Sequence, residues 1–172
     1  MSLAHCMKRF IPVLILAAPL TAVAAADPDA SFYKNAAEGG IFEVDAGNLA
    51  EQKGSSQAVK DFGAMMVRDH SAANDKLKAL ASSKNVSLPT TASIGEMAIK
   101  AKLDLLSGDT VDKSYIKSQI KAHRMTIKLF KQEIGSGQDP DAQAFATATL
   151  PVLQGHLRKI DSIAKDAGIA TK

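Results

Sequence analysis

Four long stretches of the chain repeat apolar side chains at steps of three and four residues. This spacing gathers the apolar residues on one face of an α-helix, so each stretch predicts one amphipathic helix. The positions in the last three stretches are Val59, Phe62, Met66, Ala73, Leu77 and Leu80, then Ile116, Ile120, Ile127, Phe130 and Ile134, then Phe145, Leu153, Ile160 and Ile163. Strand-like alternating runs are few, so the predicted class is all-α.

Capping residues define where these helices begin. Ser93 and Glu96 have the spacing of a capping box, Asp109 is a candidate cap for the next helix, and Asp139 precedes Pro140 at a first helical position. The predicted helices span residues 31–53, 56–84, 93–106, 110–136 and 140–167. Four of them are long, and the third is short.

The connection between the second and third long helices is too long for a tight hairpin. About 25 residues join them, and these residues contain the short helix. Such a connection favours a crossover between distant ends over a simple up-and-down path. The prediction is a ferritin-like four-helix bundle with a short extra helix in the crossover, formed by a single domain over residues 27–172.

Residues 1–26 have the layout of a secretory signal peptide. Lys8 and Arg9 precede an apolar run over residues 10–26, with small residues suited to cleavage after Ala24 or Ala26. The alternative is an uncleaved membrane anchor, but the run is slightly shorter than the ~20 residues of a span. We therefore predict cleavage and export, with the periplasm as the destination. No later apolar segment approaches membrane-spanning length.

Cysteine content and charge exclude several function classes. The only cysteine, Cys6, lies in the predicted leader, which excludes a disulfide framework and a cysteine-rich metal site. Without Lys8 and Arg9, 19 basic residues face 18 acidic ones, a net charge of about +1. The sequence contains no run of lysines and arginines and no pattern of aromatic residues on which bases could stack. We therefore predict no nucleic-acid partner.

Each apolar stripe is interrupted once, and every interruption is a side chain that can bind a metal ion. The four residues are Glu43, His70, His123 and His156. The first three lie within one residue of their predicted helix midpoints, and His156 is three residues past its own, about 4.5 Å along the axis. Residues near helix midpoints stay level in any helix direction, so the four side chains should meet at mid-height.

Neutral imidazoles and a carboxylate are suitable ligands for zinc, iron or copper. We therefore predict one transition-metal ion bound by Glu43, His70, His123 and His156, with Asp69 as a possible outer group. The alternative is a metal-free polar network in which the carboxylate pairs with a protonated histidine. A ferritin-type di-iron centre is disfavoured, because it needs Glu-x-x-His motifs and none of the three histidines has a glutamate three positions before it.

Glycines flank the carboxylate of the first helix. Gly40 and Gly47 lie on the same face as Glu43, where each costs ~1 kcal/mol relative to alanine. They make room either for a bound species or for close approach of a neighbouring helix, and the sequence leaves both readings open.

A basic stripe follows the third long helix, one residue round from its apolar stripe. Its members are Lys117, Lys121, Arg124, Lys128 and Lys131. The stripe is either an ordinary solvated face or a contact surface for an anionic envelope surface or an acidic protein.

Several stretches together resemble an exported bacterial family, the domain of unknown function 4142 family. They are residues 38–43, 59–62, 66–70, 129–130 and 150–157, with His123. The resemblance spans roughly residues 30–166 and implies a ferritin-like helical bundle in the cell envelope without an established activity. Relatives often carry an acidic residue where this chain has Ala122, so an acidic role at that position is absent.

Three functions remain open on these grounds. The leading one is an exported protein that binds one metal ion, and the first alternative is a metal-free structural or interaction module that uses the basic face. A mononuclear-metal redox enzyme is the weaker alternative, because the sequence contains no signal for a particular reaction or substrate.

Overall fold

A computed structural model describes residues 28–171, which form five helices and no strand. The helices are α1 (Pro28–Lys53), α2 (Gln57–Ser83), α3 (Ile94–Asp104), α4 (Asp109–Ser136) and α5 (Pro140–Asp166). The all-α prediction is confirmed, and the five predicted helices correspond to these five in order. The predicted leader, residues 1–26, lies outside the described residues.

Side-chain caps fix two of the helix starts as the sequence predicts. Ser93 and Glu96 form a reciprocal capping box at α3. The Asp139 side chain accepts a hydrogen bond from the backbone N–H of Asp141, and Pro140 follows it as the first residue of α5. These caps satisfy backbone N–H groups that have no partner inside the helix.

The start of α4 differs from the prediction. The N-cap is Gly108, not Asp109, and no side chain caps this end. Gly108 has φ +57°, a conformation that a side chain disfavours, so the glycine supplies the turn into the helix. Asp109 becomes the first helical residue, where its carboxylate faces the positive end of the helix dipole.

Contacts between helix ends fix their relative directions. Backbone N–H groups of Ser55 and Ser56, just after α1, donate to the two carboxylate oxygens of Asp112 near the start of α4, each at 2.8 Å. At the other end, the N–H of Gln138 after α4 donates to Asp29 near the start of α1, at 2.8 Å. Helices α1 and α4 are therefore antiparallel neighbours.

Helices α2 and α4 run in the same direction. Lys84, at the end of α2, forms ion pairs with Asp139 and Asp141 at the start of α5, at 2.7 and 2.8 Å. The end of α2 therefore lies beside the end of α4, and residues 84–108 must return along the molecule before α4 begins. Helix α3 lies in this return and packs against α1 and α4.

The apolar core has two parts. One part contains Phe42, Phe62, Tyr115, Ile116 and Ile160, and the other contains Phe32, Leu77, Phe130, Ala142 and Leu153. Along each long helix the two parts occupy successive segments. His70, His123 and His156 lie between these segments, and Glu43 lies one residue inside the segment that begins at Phe42, so a polar layer divides the core.

The glycines of α1 allow close approach of α2. A Cβ on Gly47 would lie 2.8 Å from the carbonyl oxygen of Gly63, and a Cβ on Gly63 would lie 2.6 Å from the carbonyl of Gly47. A Cβ on Gly40 would overlap the Asn74 side chain. Of the two readings that the sequence left open, the contacts at Gly40 and Gly47 favour close helix packing.

Among residues 28–171, no helix combines the length and the apolar composition needed to span a bilayer. The long helices instead carry one buried face each, which the other helices cover.

Replacing Asp112 should destabilise the fold, because its carboxylate connects the α1–α2 turn to α4. Asp112→Ala leaves two backbone N–H groups without their charged acceptor, at an expected cost of about 2–4 kcal/mol in the free energy of unfolding. The exposed Asp109 in the same turn is the matched control, and Asp109→Ala should cost less than about 1 kcal/mol through the helix dipole. Urea unfolding measures both, and equal losses would contradict the assigned role of Asp112.

Candidate metal centre

The four residues predicted from the stripe interruptions are all buried. Glu43 is 2% exposed, His70 6%, His123 1% and His156 4%. Each comes from a different long helix, and the polar layer lies between the two apolar parts of the core. Burial at this depth removes the water that would otherwise solvate their polar atoms.

The three histidines form a close triangle. The ring centroid of His70 lies 5.8 Å from that of His123 and 5.4 Å from that of His156. The centroids of His123 and His156 are 5.4 Å apart. One nitrogen of each ring lies within 4.8 Å of one nitrogen of both others. A group of this kind could hold a metal ion.

Hydrogen bonds fix the orientation of two of these rings. The Nδ1–H of His123 donates to the backbone carbonyl of Gln119, at 2.9 Å, which leaves Nε2 as the ring atom with a lone pair. The Nε2 of His156 lies 3.0 Å from Asp69 Oδ2. Because a carboxylate only accepts, this Nε2 carries the proton and His156 Nδ1 is left with a lone pair.

The two freed nitrogens face each other. His123 Nε2 and His156 Nδ1 are 3.4 Å apart. Two lone pairs at this distance repel each other, and a proton or a cation between them would replace the repulsion with attraction. A proton would make His156 an imidazolium beside Asp69, but burial lowers the pKa of His156 despite that carboxylate.

His70 completes the triangle as a neutral ring. Its Nε2 is buried and has no hydrogen-bond partner. Burial, together with the neighbouring rings of His123 and His156, lowers the pKa of His70 to about 3. Burial likewise lowers the pKa of His123 to about 4. Both rings are therefore neutral near pH 7, the form that binds metal ions.

Glu43 lies beside the triangle on the far edge of His123. Its Oε1 is 3.7 Å from His123 Nδ1, the nitrogen already bound to the Gln119 carbonyl, and its Oε2 has no hydrogen-bond partner. Burial raises the pKa of Glu43 to about 8, and the charge of Glu96 also raises it. The nearby Gln119 amide lowers this pKa, although neither of its polar atoms reaches hydrogen-bond geometry. The structure thus brings the three histidines together and leaves Glu43 next to them.

Asp69 contacts the triangle from outside. One carboxylate oxygen binds His156, and the other accepts a hydrogen bond from Arg68 Nε at 2.8 Å. Partial burial acts to raise the pKa of Asp69, but the bonds from Arg68 and His156 outweigh it and hold that pKa below its usual value. An ionised Asp69 keeps the proton of His156 on Nε2.

Two further polar residues of α4 line this layer and are missed by the sequence reasoning. Gln119 is fully buried, and its carbonyl orients His123. Tyr115, one turn earlier, is also fully buried, and its hydroxyl has no hydrogen-bond partner. The available signal was a polar residue four positions before His123 on the same helix face.

A small cavity adjoins His70 and His156. Its volume is about 30 Å³, and Gly39, Gly40 and Asn74 contribute to its wall. This space is sufficient for one or two water molecules or for one ion. The absence of side chains at Gly39 and Gly40 therefore also leaves room beside the histidines.

The metal-free protein should be most stable near pH 6.5. Below that pH, His70 and His123 are protonated in the unfolded chain but stay neutral in the folded protein. The free energy of unfolding therefore falls by up to about 1.4 kcal/mol per pH unit for each histidine. Folded Glu43 keeps its proton up to about pH 8, whereas the unfolded side chain loses it near 4.5. Its contribution to stability is therefore lost as the pH rises through this range, and above pH 6.5 no histidine offsets it.

Urea unfolding of chelator-treated protein between pH 5 and 9 checks this profile. Glu43→Gln should abolish the decline between pH 6.5 and 8, and Glu51→Gln, at an exposed position of the same helix, should preserve it. An unchanged decline in Glu43→Gln would contradict the protonated state assigned to Glu43.

The family model of the domain of unknown function DUF4142 matches residues 16–163. A DUF305 fragment from Deinococcus radiodurans has a similar structure, with a TM-score of 0.72, 11% identity, and coverage of 83% of this chain and 98% of that chain. A "putative secreted protein DUF305" from Streptomyces coelicolor also has a TM-score of 0.72, with 13% identity and coverage of 86% and 98%.

At these identities, the likeness to the two DUF305 structures indicates a shared fold alone. No curated protein matches the chain significantly. The family model, in contrast, extends from the apolar leader into α5, and the resemblance drawn from the sequence is confirmed. The chain belongs to the DUF4142 family.

Proposed function

We propose that this protein binds one transition-metal ion, such as zinc, iron or copper, through His70, His123 and His156. The observation that supports the proposal is the pair of facing nitrogens on His123 and His156, 3.4 Å apart. Two nitrogens bound at 2.0–2.1 Å to one tetrahedral ion lie about 3.3–3.4 Å apart. This pair is therefore spaced for an ion before one is bound, and the third ring offers a nitrogen within 4.8 Å of its partners.

The groups behind the ligands support the same function. The Gln119 carbonyl and the Asp69 carboxylate each accept the proton of one ring and turn its other nitrogen inward. Metal-binding histidines are commonly oriented by such partners. In a metal-free network the same arrangement would require an imidazolium at a position where burial disfavours it.

Two groups can supply the fourth ligand. Glu43, which the sequence predicts as a ligand, contacts His123 on the edge away from the triangle, so direct ligation would require its side chain to turn. The small cavity beside His70 and His156 has room for a water molecule in that position instead. An open position would also suit the weaker alternative, a mononuclear-metal redox enzyme.

We also propose a ferritin-like four-helix bundle that is exported with cleavage of residues 1–26. The contacts of α1 with α2 and α4, and of α5 with α2 and α4, support the bundle. The long return over residues 84–108 supports the ferritin-like connection. The signal-peptide layout supports export to the periplasm, and the description of the Streptomyces coelicolor protein agrees with it.

The basic face of α4 supports the alternative function of an envelope interaction module. Its five residues, Lys117, Lys121, Arg124, Lys128 and Lys131, are all exposed. Contact with an anionic surface or an acidic protein stays a prediction.

Metal binding should raise the thermal stability of chelator-treated protein. At a hundredfold excess of the correct metal over its dissociation constant, the gain is about 2.7 kcal/mol, or roughly 5–10 °C in the unfolding midpoint. His123→Ala should lose most of this gain, because it removes one of three ligands. Calorimetric scans with and without zinc, iron(II) or copper measure the rise in unfolding midpoint for each protein. Because each variant is compared with its own metal-free form, any destabilisation by the substitution itself does not affect the comparison.

Glu43→Gln is the matched variant for this experiment. It keeps the shape of the side chain but removes the carboxylate, and the metal-induced gain should stay within about 1 kcal/mol of wild type if Glu43 is not a ligand. A wild-type midpoint that no metal changes would leave the metal-free polar network as the better account.

Asp69→Asn should weaken metal binding by about 10- to 100-fold, because the amide can donate to His156 and release its tautomer. The matched control is Asp75→Asn, an exposed residue of the same helix, which should bind as wild type does. Competition titration against a chromophoric chelator gives both affinities. Equal affinities for the two variants would exclude the orienting role of Asp69.

A further inference from the structure

A groove opens where α3 crosses the surface between α1 and α4. Its volume is about 600 Å³, within the range of about 300–1,000 Å³ that is usual for small-molecule sites. All three helices contribute to its lining. The groove lies on the opposite side of Gly39 and Thr126 from the small histidine cavity, since these two residues line both spaces.

The groove has apolar walls, which are partly exposed to solvent. Phe42 of α1, Ile99 of α3 and Leu129 of α4 line it, together with the side chain of Met125, which is 62% exposed. Exposed methionine at the rim of an apolar groove is a feature of ligand-binding surfaces. The walls therefore suit the apolar part of a small organic molecule.

The charges of the lining are mainly acidic. Three carboxyl groups, those of Glu38, Glu43 and Glu96, face one amino group, that of Lys121. The carboxylate of Glu38 lies 3.9 Å from the ammonium group of the exposed Lys34. An exposed ion pair of this length contributes little energy. The balance of charge favours a cation over an anion in this groove.

Glu43 lies at the floor of the groove and has an unused acceptor. Its side chain is almost fully buried, its Oε1 faces His123, and its Oε2 has no hydrogen-bond partner. A buried acceptor without a donor destabilises the protein. A ligand that donated a hydrogen bond to this oxygen would remove that cost, which would favour its binding. A positively charged donor gains most, because Glu38 and Glu96 in the lining of the same groove also attract it.

We propose that the groove between α1, α3 and α4 binds a small organic amine. Oε2 of Glu43 is closed to solvent, so the side chain turns toward the groove when this oxygen accepts a hydrogen bond from the ammonium group. The apolar chain of the amine lies between Phe42, Ile99 and Leu129. The proposal rests on the groove and on Glu43 and is independent of metal binding by the histidines. An alcohol of equal length would lack the charge, and a carboxylate would be repelled by Glu38 and Glu96.

Isothermal titration of the chelator-treated chain tests this directly. The probes are hexylamine, hexanol and hexanoate, which share a six-carbon chain and differ in the polar group. Hexylamine should bind at least about tenfold more tightly than either of the others. Equal affinities for hexylamine and hexanol, or the absence of hexylamine binding, would overturn the proposal.

Two variants locate the amine. Glu43→Gln should weaken hexylamine binding by about tenfold or more, and the exposed Glu51→Gln on the same helix should leave it unchanged. Ala122→Leu narrows the groove without touching a carboxyl group and should weaken hexylamine and hexanol alike. If Glu43→Gln does not fold, the Ala122→Leu result decides, and wild-type affinity in either folded variant contradicts the assigned site.

Discussion

The fold depends on how a layer of ionisable side chains is tolerated in the middle of an apolar core. His70, His123 and His156 lie between the two apolar parts of the core and Glu43 lies at the border of one of them, where an isolated charge would be costly. Burial resolves the cost by favouring the neutral forms, with histidine pKa values lowered and the Glu43 pKa raised. The layer is thus nearly neutral without metal and carries nitrogen lone pairs that a cation can use.

Orientation of the rings connects this layer to the proposed function. The Gln119 carbonyl holds His123 from within its own helix, and Asp69 holds His156 from the neighbouring helix α2. Because each partner accepts a proton, each leaves a lone pair directed inward. The same two interactions fix the spacing of 3.4 Å, so metal affinity would follow from the packing of α2, α4 and α5.

The sequence was sufficient for the helices and for the positions of the polar layer. Apolar spacing gave the stripes, and the interruption of each stripe gave one buried residue per long helix. It was not sufficient for orientation, because side-chain patterns contain no information on which carbonyl accepts the His123 proton or on which edge of that ring Glu43 packs. The Gly108 cap was missed for a similar reason, since a backbone dihedral angle substitutes there for a side-chain bond.

The central claim is that three imidazole nitrogens bind one metal ion. The most direct measurement is elemental analysis of untagged protein from its native compartment, followed by X-ray absorption at the edge of the metal found. The account predicts about one transition-metal ion per chain, with scattering from three imidazole rings at about 2.0–2.1 Å if the ion is zinc. Native protein without stoichiometric metal, or an absorption spectrum without imidazole scattering, would contradict it.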